Sequence, residues 1–125
     1  MAIKVPNFLL KRIYVQGSLR NTDEGFEFKL KNSLGSGYAY GLMPIIMDGE
    51  VLPAAQSNFS VDGRRIPFPL VTKENPATLA MNREAVISIA GKTLEPGAHK
   101  FTMGFHVTGL GELGVELVDT VPPGP

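Results

Sequence analysis

Short segments in which apolar and polar residues alternate dominate this chain. In Gly25–Lys31, Phe26, Phe28 and Leu30 take every second position, and charged residues follow each of them. Because successive side chains of a β-strand point to opposite faces, this period of two predicts half-buried strands with one solvated face. The segments with the pattern are 12–17 (RIYVQG), 25–31 (GFEFKLK), 85–91 (AVISIAG), 100–107 (KFTMGFHV) and 114–118 (GVELV).

Turn signals separate these segments. Asp48-Gly49 and Asp62-Gly63 each stand between apolar runs, and such pairs are strong signals for a two-residue hairpin. The segments 21–25 (NTDEG) and 94–97 (LEPG) provide further connections. A helical turn is predicted only in 77–85, after Pro76.

The pattern predicts an all-β chain, an antiparallel β-sandwich of the immunoglobulin-like kind with about seven to nine short strands. A small closed barrel is the alternative. The length of 125 residues fits a single domain over 1–125. Residues 1–10 and 121–125 are interpreted as arms. In the first strand, Ile13 and Val15 are predicted to share the buried face.

Composition narrows the function classes. Twelve basic and twelve acidic residues cancel, so no strong field is available to attract nucleic acid or an anionic membrane. The chain has no cysteine, which excludes disulfides, thiolate metal sites and cysteine nucleophiles. The N-terminal stretch does not have the pattern of a signal peptide, and we expect a cytoplasmic protein.

The spacing G-x-G-x-x-G occurs at Gly109, Gly111 and Gly114. A dinucleotide-binding loop with this spacing must leave a strand and open a helix. The residues after Gly114 alternate with a period of two, and the Pro122-Pro123 pair follows soon after. The sequence therefore predicts a hairpin in which Gly109 and Gly111 take positive φ, and no cofactor site.

Candidate catalytic and metal-binding side chains are few. His99 and His106 are seven residues apart on one predicted strand, so they point to opposite faces and cannot share a metal. His99 is interpreted as buried or at the rim and His106 as solvated. Nothing brings the acidic pairs Asp23-Glu24 and Glu112-Glu116 together for acid–base chemistry. We therefore predict no catalytic, cofactor-binding or metal-binding residue in this chain.

Two apolar segments are candidates for contact with a partner protein. The uncharged segment 35–44 carries tyrosine and methionine, which are favoured at buried protein contacts. The segment 64–71 places apolar residues between prolines, which resist central-strand pairing. The alternative for both is core strands with irregular flanks. The predicted contact residues are Tyr38, Tyr40, Met43, Pro44, Ile66 and Phe68.

Over residues 25–118 the chain resembles the small β-subunits of bacterial C-glycoside deglycosidases. The likeness rests on the early Phe26-x-Phe28 strand, on Asp48-Gly49-Glu50, and on Leu94-x-x-Gly97-x-His99 before a late strand. The resemblance implies a β-sandwich that packs on a larger TIM-barrel catalytic subunit. That partner would hold a divalent, manganese-type metal and cleave the carbon–carbon bond between sugar and aglycone in an oxidised C-glycoside.

The resemblance predicts a non-catalytic accessory subunit of a hetero-oligomeric lyase, and whether the chain itself counts as an enzyme stays open. One alternative is a free-standing β-sandwich that binds carbohydrate or another ligand, although the chain has no tryptophan to stack on a sugar. The other is a self-assembling structural protein whose arms exchange between copies.

Overall fold

The computed structural model describes residues 11–33, 37–107, 109 and 111–123, with eleven strands in two antiparallel sheets. The two sheets pack face to face around one hydrophobic core. The prediction of an all-β sandwich is confirmed. Three short 3₁₀ helices, Lys11–Ile13, Ala54–Gln56 and Phe68–Leu70, accompany the strands.

The first sheet has five strands in the order β1-β2-β9-β6-β7. Its centre is the long pairing of β2 with β9, in which Phe28 lies opposite Ile87. Alternation places these side chains in the core and turns the intervening polar residues outward. The strands are β1 (Arg20–Asn21), β2 (Gly25–Lys31), β6 (Ser57–Val61), β7 (Arg64–Pro67) and β9 (Glu84–Ala90).

The second sheet is built around β10. The full length of β11 pairs with one edge of β10, while β3 and β4 lie end to end along the other edge. Outside them, β8 pairs with β3 and β5 pairs with β4. The strands are β3 (Gly37–Leu42), β4 (Ile46–Met47), β5 (Glu50–Val51), β8 (Ala77–Leu79), β10 (Gly97–Val107) and β11 (Gly111–Val121).

Aromatic side chains join the two sheets at the centre of the core. The ring centroids of Phe28 from the first sheet and Phe101 from the second are 5.1 Å apart. The Tyr14 ring packs edge-on against Phe101 at 5.7 Å. Such tilted and edge-to-face pairs stabilise a core by more than the area they bury.

The predicted turns are confirmed. Both Asp-Gly pairs have positive φ at both residues, 51° and 87° at Asp48-Gly49 and 51° and 80° at Asp62-Gly63, as a type I′ hairpin turn requires. Gly109 and Gly111 have φ of 85° and 78° and connect β10 to β11. Because a strand follows Gly111 where a dinucleotide site needs a helix, the glycine-rich spacing belongs to a hairpin.

Three expectations from the sequence are wrong. Residues 11–13 form a 3₁₀ helix instead of a strand, and Tyr14, not Ile13 or Val15, is the buried residue there. The segment 77–85 holds β8 and the start of β9 in place of a helical turn. Val121, assigned to a C-terminal arm, is the buried last residue of β11. Residues 1–10, the other predicted arm, lie outside the described residues.

Within the described part of the chain, no helix is long and apolar enough to cross a membrane.

Candidate functional site

The outer face of the second sheet exposes a group of apolar side chains, which we call the β4 patch: Met43, Pro44, Ile46 and Val51. Ile46 and Val51 are cross-strand partners and are 38% and 63% exposed. They point outward because their strand neighbour Met47 points into the core. A contiguous group of exposed apolar side chains is a candidate contact surface.

Glycine shapes this face beside the patch. A Cβ at Gly104 would lie only 2.7 Å from Sδ of Met43, so the glycine allows the thioether to rest directly on β10. Gly104 is paired with Gly114 of β11, which keeps the neighbouring surface flat. Met43 is therefore held in place by the backbone beneath it, although it remains partly exposed.

A ring stack borders the β4 patch. The Tyr40 ring stacks on the imidazole of His106 with a centroid distance of 5.6 Å, and Lys73 Nζ lies 5.4 Å from the Tyr40 centroid. A Cβ at Gly41 would lie 3.0 Å from Cδ2 of His106, so this glycine makes room for the imidazole. His106, interpreted from the sequence as a solvated residue, instead packs against an aromatic ring.

The structure separates the six residues predicted to contact a partner. Tyr40, Met43 and Pro44 lie on the outer face of the second sheet, while the side chain of Tyr38 lies outside the described part of the structure. Ile66 and Phe68 are only 5% and 2% exposed and belong to the core. In the segment 64–71, these two side chains therefore follow the alternative interpretation, in which the segment contributes to the core.

His99 ties β10 to the β4–β5 hairpin. Its Nδ1 lies 2.6 Å from Oδ2 of Asp48 and its Nε2 lies 2.7 Å from the carbonyl oxygen of Glu95. The backbone N–H of Lys100 also donates to Asp48. The Glu95 carbonyl and the Asp48 carboxylate raise the pKa of His99, and the hydrogen bond from His99 lowers the pKa of Asp48. The hairpin that carries Ile46 and Val51 is thus held by hydrogen bonds that become an ion pair when His99 is protonated.

This pair predicts a pH dependence of stability. The raised pKa of His99 means that its contribution is complete below about 6.5, the unfolded value, and is lost as pH rises through the folded pKa. The contribution of Asp48, whose pKa is lowered, is present above about 3.9 and is lost on acidification through the folded pKa. Because Asp48 is half exposed, we expect His99→Gln to cost about 1 kcal/mol or less at pH 5.5, and still less at pH 8.5.

Urea unfolding of both proteins at the two pH values measures this difference. The control is Lys92→Gln, which removes the neighbouring Lys92–Glu50 ion pair of 3.2 Å and should have the same small effect at both. An equal cost of His99→Gln at both pH values would contradict the prediction.

Asp119 on β11 is a buried carboxylate that the sequence analysis missed. It binds the segment that precedes β1. Asp119 accepts hydrogen bonds from the Tyr14 hydroxyl at 2.5 Å and from the N–H groups of Gly17 and Leu19. Burial alone would raise the pKa of Asp119, but the hydrogen bonds outweigh it and hold the pKa below its usual range. The alternating pattern of β11 places Asp119 among inward residues, which was the only sequence signal for this role.

The outer face of the first sheet carries a polar depression of about 380 Å³. Arg20 and Arg65 reach into it from opposite sides: Arg20 Nε donates to Glu27 at 3.2 Å and Arg65 Nη2 donates to Ser88 at 3.3 Å. The lining residues are Arg20, Thr22, Asp23, Glu24, Glu27, Asn58, Arg65, Ser88, Ile89 and Ala90.

The side chains considered for acid–base or metal chemistry stay apart. Asp23 and Glu24 precede β2 in the first sheet, and Glu112 and Glu116 lie on β11 in the second. His99 and His106 are seven positions apart on β10 and therefore lie on opposite faces of the sheet, as predicted. Among the described residues, no three acidic or histidine side chains form a group that could hold a metal ion.

Comparison with known families decides the relationship. Residues 9–122 match the family described as hydroxymethylglutaryl-CoA reductase, N-terminal domain. The chain belongs to this family. The matched residues include all eleven strands of the described structure. The comparison with curated proteins found no match.

Membership of the reductase N-terminal domain family corrects the earlier resemblance. The assignment to the β-subunits of C-glycoside deglycosidases, and to an accessory subunit of such a lyase, is wrong. Two of the three features behind it, the motifs around Asp48 and His99, are in contact through the hydrogen bond between these two side chains and so report local structure. The divalent metal and the TIM-barrel shape expected of a partner stay predictions.

Proposed function

We propose that this chain is a non-catalytic docking domain of a multi-part enzyme and that the β4 patch faces the catalytic protein. The observation that carries the proposal is the exposure of Ile46 and Val51, side by side on one face of the second sheet. Because Ile46 and Val51 are 38% and 63% exposed, burying what remains exposed in an interface would contribute about 0.5–2 kcal/mol for each.

The β4 patch differs in character from the outer face of the first sheet, which favours it as the docking surface. The first sheet presents Glu27, Lys29, Asn58 and Ser88 on its outer side, as expected of a solvated surface. The centre of an interface is typically poor in charge and rich in apolar and aromatic side chains. The β4 patch, with Tyr40 nearby, has that composition.

The family description indicates which partner to test first. It names hydroxymethylglutaryl-CoA reductase, so we propose the catalytic part of such a reductase as the protein on which this domain docks. The domain would then position or stabilise the catalytic part without supplying reacting groups. The reductase activity itself is assigned to that partner.

Calorimetric titration of the chain with the catalytic part of the reductase tests the proposal. We expect Ile46→Glu to raise Kd at least about tenfold, because a carboxylate buried without a partner costs more than the 1.4 kcal/mol that a tenfold change represents. The matched control is Leu70→Glu, which places the same charge at an apolar side chain that is 59% exposed and outside the patch. It should change Kd less than about twofold.

Equal effects of the two substitutions would place the contact elsewhere on the domain. Absence of any binding by the unaltered chain would refute the proposed partner. Thermal unfolding of both variants serves as the check that they fold, because both positions are at the surface and substitutions there should change stability little.

A further inference from the structure

We propose that Met43 is a redox-sensitive modification site, and that its oxidation to the sulfoxide by a peroxide weakens docking through the β4 patch. The effect on docking rests on the function proposed above, whereas the modification itself is a property of this chain alone. Among the methionines of the described residues, Met47 and Met103 are only 1% and 2% exposed. Met43 is partly exposed and Met81 is 51% exposed. A peroxide can therefore reach two of these thioethers, and one of the two belongs to the patch.

The sulfur of Met43 lies on the outer face of the second sheet. Met103 of β10 points into the core, so a side chain at the next position, Gly104, would point outward. Since a Cβ at Gly104 would lie 2.7 Å from Sδ of Met43, the thioether is on that outward side. The N–H of Met43 donates to the carbonyl oxygen of Gly104 at 2.9 Å, which fixes the Met43 backbone against β10. The thioether is therefore held at the surface of the sheet and not in the core.

The oxidation transfers one oxygen atom and two electrons. A lone pair on Sδ of Met43 attacks one oxygen of hydrogen peroxide, the O–O bond breaks, and the second oxygen leaves as water with both hydrogens of the peroxide. The sulfur is oxidised to the sulfoxide, and the peroxide is reduced. Methionine sulfoxide reductases return the sulfoxide to the thioether, so the modification is reversible.

The sulfoxide changes the character of the β4 patch. A thioether is apolar and flexible and adapts to a protein contact, whereas a sulfoxide carries a strongly polar oxygen. The side chains of Pro44 and Ile46 beside it have no hydrogen-bond donor. Burying the new oxygen against apolar groups is unfavourable. We therefore expect oxidation of Met43 to raise Kd for the catalytic part of the reductase at least about fivefold.

Met81 is the internal control because it is exposed and distant from the patch. It follows β8, whose Leu79 pairs with Gly37 at the start of β3, whereas Met43 follows the end of β3. The six residues of β3 separate the two positions by roughly 20 Å along the strand. Oxidation of Met81 should therefore leave docking unchanged.

Limited treatment of the whole chain with hydrogen peroxide, followed by peptide mapping by mass spectrometry, tests the modification. We expect Met43 and Met81 to gain oxygen at least about tenfold faster than Met47 and Met103, because the close-packed core excludes the oxidant. Saturation with the catalytic part of the reductase should slow the oxidation of Met43 and leave that of Met81 unchanged. Oxidation of Met43 as slow as that of Met103 would overturn the site.

Calorimetric titration with the catalytic part, before and after treatment and with the peroxide removed before mixing, tests the effect on docking. Oxidation should raise Kd in the unaltered chain and in Met81→Leu, and should leave Kd unchanged in Met43→Leu. An unchanged Kd in the oxidised unaltered chain, or an equal rise in Met43→Leu, would overturn the switch and leave the docking function standing. Absence of binding before treatment would refute the docking function and the switch with it, while the peptide map decides the modification separately.

Thermal unfolding of the oxidised chain distinguishes a change in the patch from a loss of the fold. Because Met43 lies on the outside of the sheet, we expect the oxidised chain to unfold in the same cooperative transition as the untreated chain. Loss of that transition would show that Kd rises through unfolding, which would overturn the switch.

Discussion

Replacing Asp119 with alanine is expected to lower the free energy of unfolding by about 3 kcal/mol or more, because several buried donors would lose their acceptor at once. The Tyr14 hydroxyl and the N–H groups of Gly17 and Leu19 all donate to Oδ2 of Asp119. Gln16 and the N–H of Thr120 donate to Oδ1. Urea unfolding at neutral pH measures the loss.

The matched control is Glu112→Ala on the same strand. Glu112 is exposed on the outer face, so its removal should change stability by less than about 0.5 kcal/mol. Acidification should also lower the free energy of unfolding, as Asp119→Ala does. The pKa of Asp119 is lowered in the fold, so its contribution is present above about 3.9 and is lost as pH falls through the folded value. A variant as stable as the control would show that Asp119 does not hold the segment.

Gly25→Ala is expected to destabilise the domain by about 3 kcal/mol, the upper end of the usual cost of overpacking. A Cβ at Gly25 would overlap the carbonyl oxygen of Ile89 and lie 3.0 Å from its carbonyl carbon. The obstacle is backbone of the paired strand β9, which no change of rotamer can relieve. The overlap can be removed only if β2 and β9 separate at Gly25, the first residue of β2.

Gly114→Ala is the matched control for that substitution. Gly114 also lies in a strand, but a Cβ there would meet no atom within 4 Å. Alanine in a strand loses less conformational entropy on folding than glycine, so this variant should be as stable as the original or more stable by about 0.5 kcal/mol. Thermal unfolding of the two variants measures the difference. Equal destabilisation would contradict the overlap with the Ile89 backbone as the cause.

The parts of the fold that depend on neighbouring residues could be predicted from the sequence. The Asp48-Gly49 and Asp62-Gly63 turns follow from two residues that tolerate positive φ. The alternation in β2 placed Phe26, Phe28 and Leu30 in the core because the period of a strand is strictly two. The hairpin at Gly109 was predictable for the same reasons.

The parts that depend on distant contacts could not be predicted. Tyr14 is buried because its ring packs on Phe28 and Phe101 and its hydroxyl binds Asp119, none of which is visible from the segment around it. Ile66 looked like a contact residue because prolines flank its segment, yet it packs inward on an edge strand, where proline is tolerated.

The same limit applies to the candidate sites. Met43 was predicted to contact a partner from the composition of the segment 35–44 alone, but its position depends on Gly104 of another strand. Arg20 and Arg65 come from opposite edge strands and bind the cross-strand partners Glu27 and Ser88, which depends on the strand order β1-β2-β9-β6-β7 that sequence periodicity does not specify. A pattern of apolar residues gives the direction of side chains, whereas a site also requires knowledge of which strands are neighbours.

The hydrogen bond between Tyr14 and Asp119 has a consequence for the rate at which the domain comes apart. It joins residues separated by 105 positions, so it can form only after almost the whole chain has been brought together. Closing so long a loop costs conformational entropy, so we expect this contact to form after the folding transition state. An interaction absent from the transition state slows unfolding without speeding folding. Asp119 would then act mainly by lowering the unfolding rate, which lengthens the lifetime of the folded sandwich.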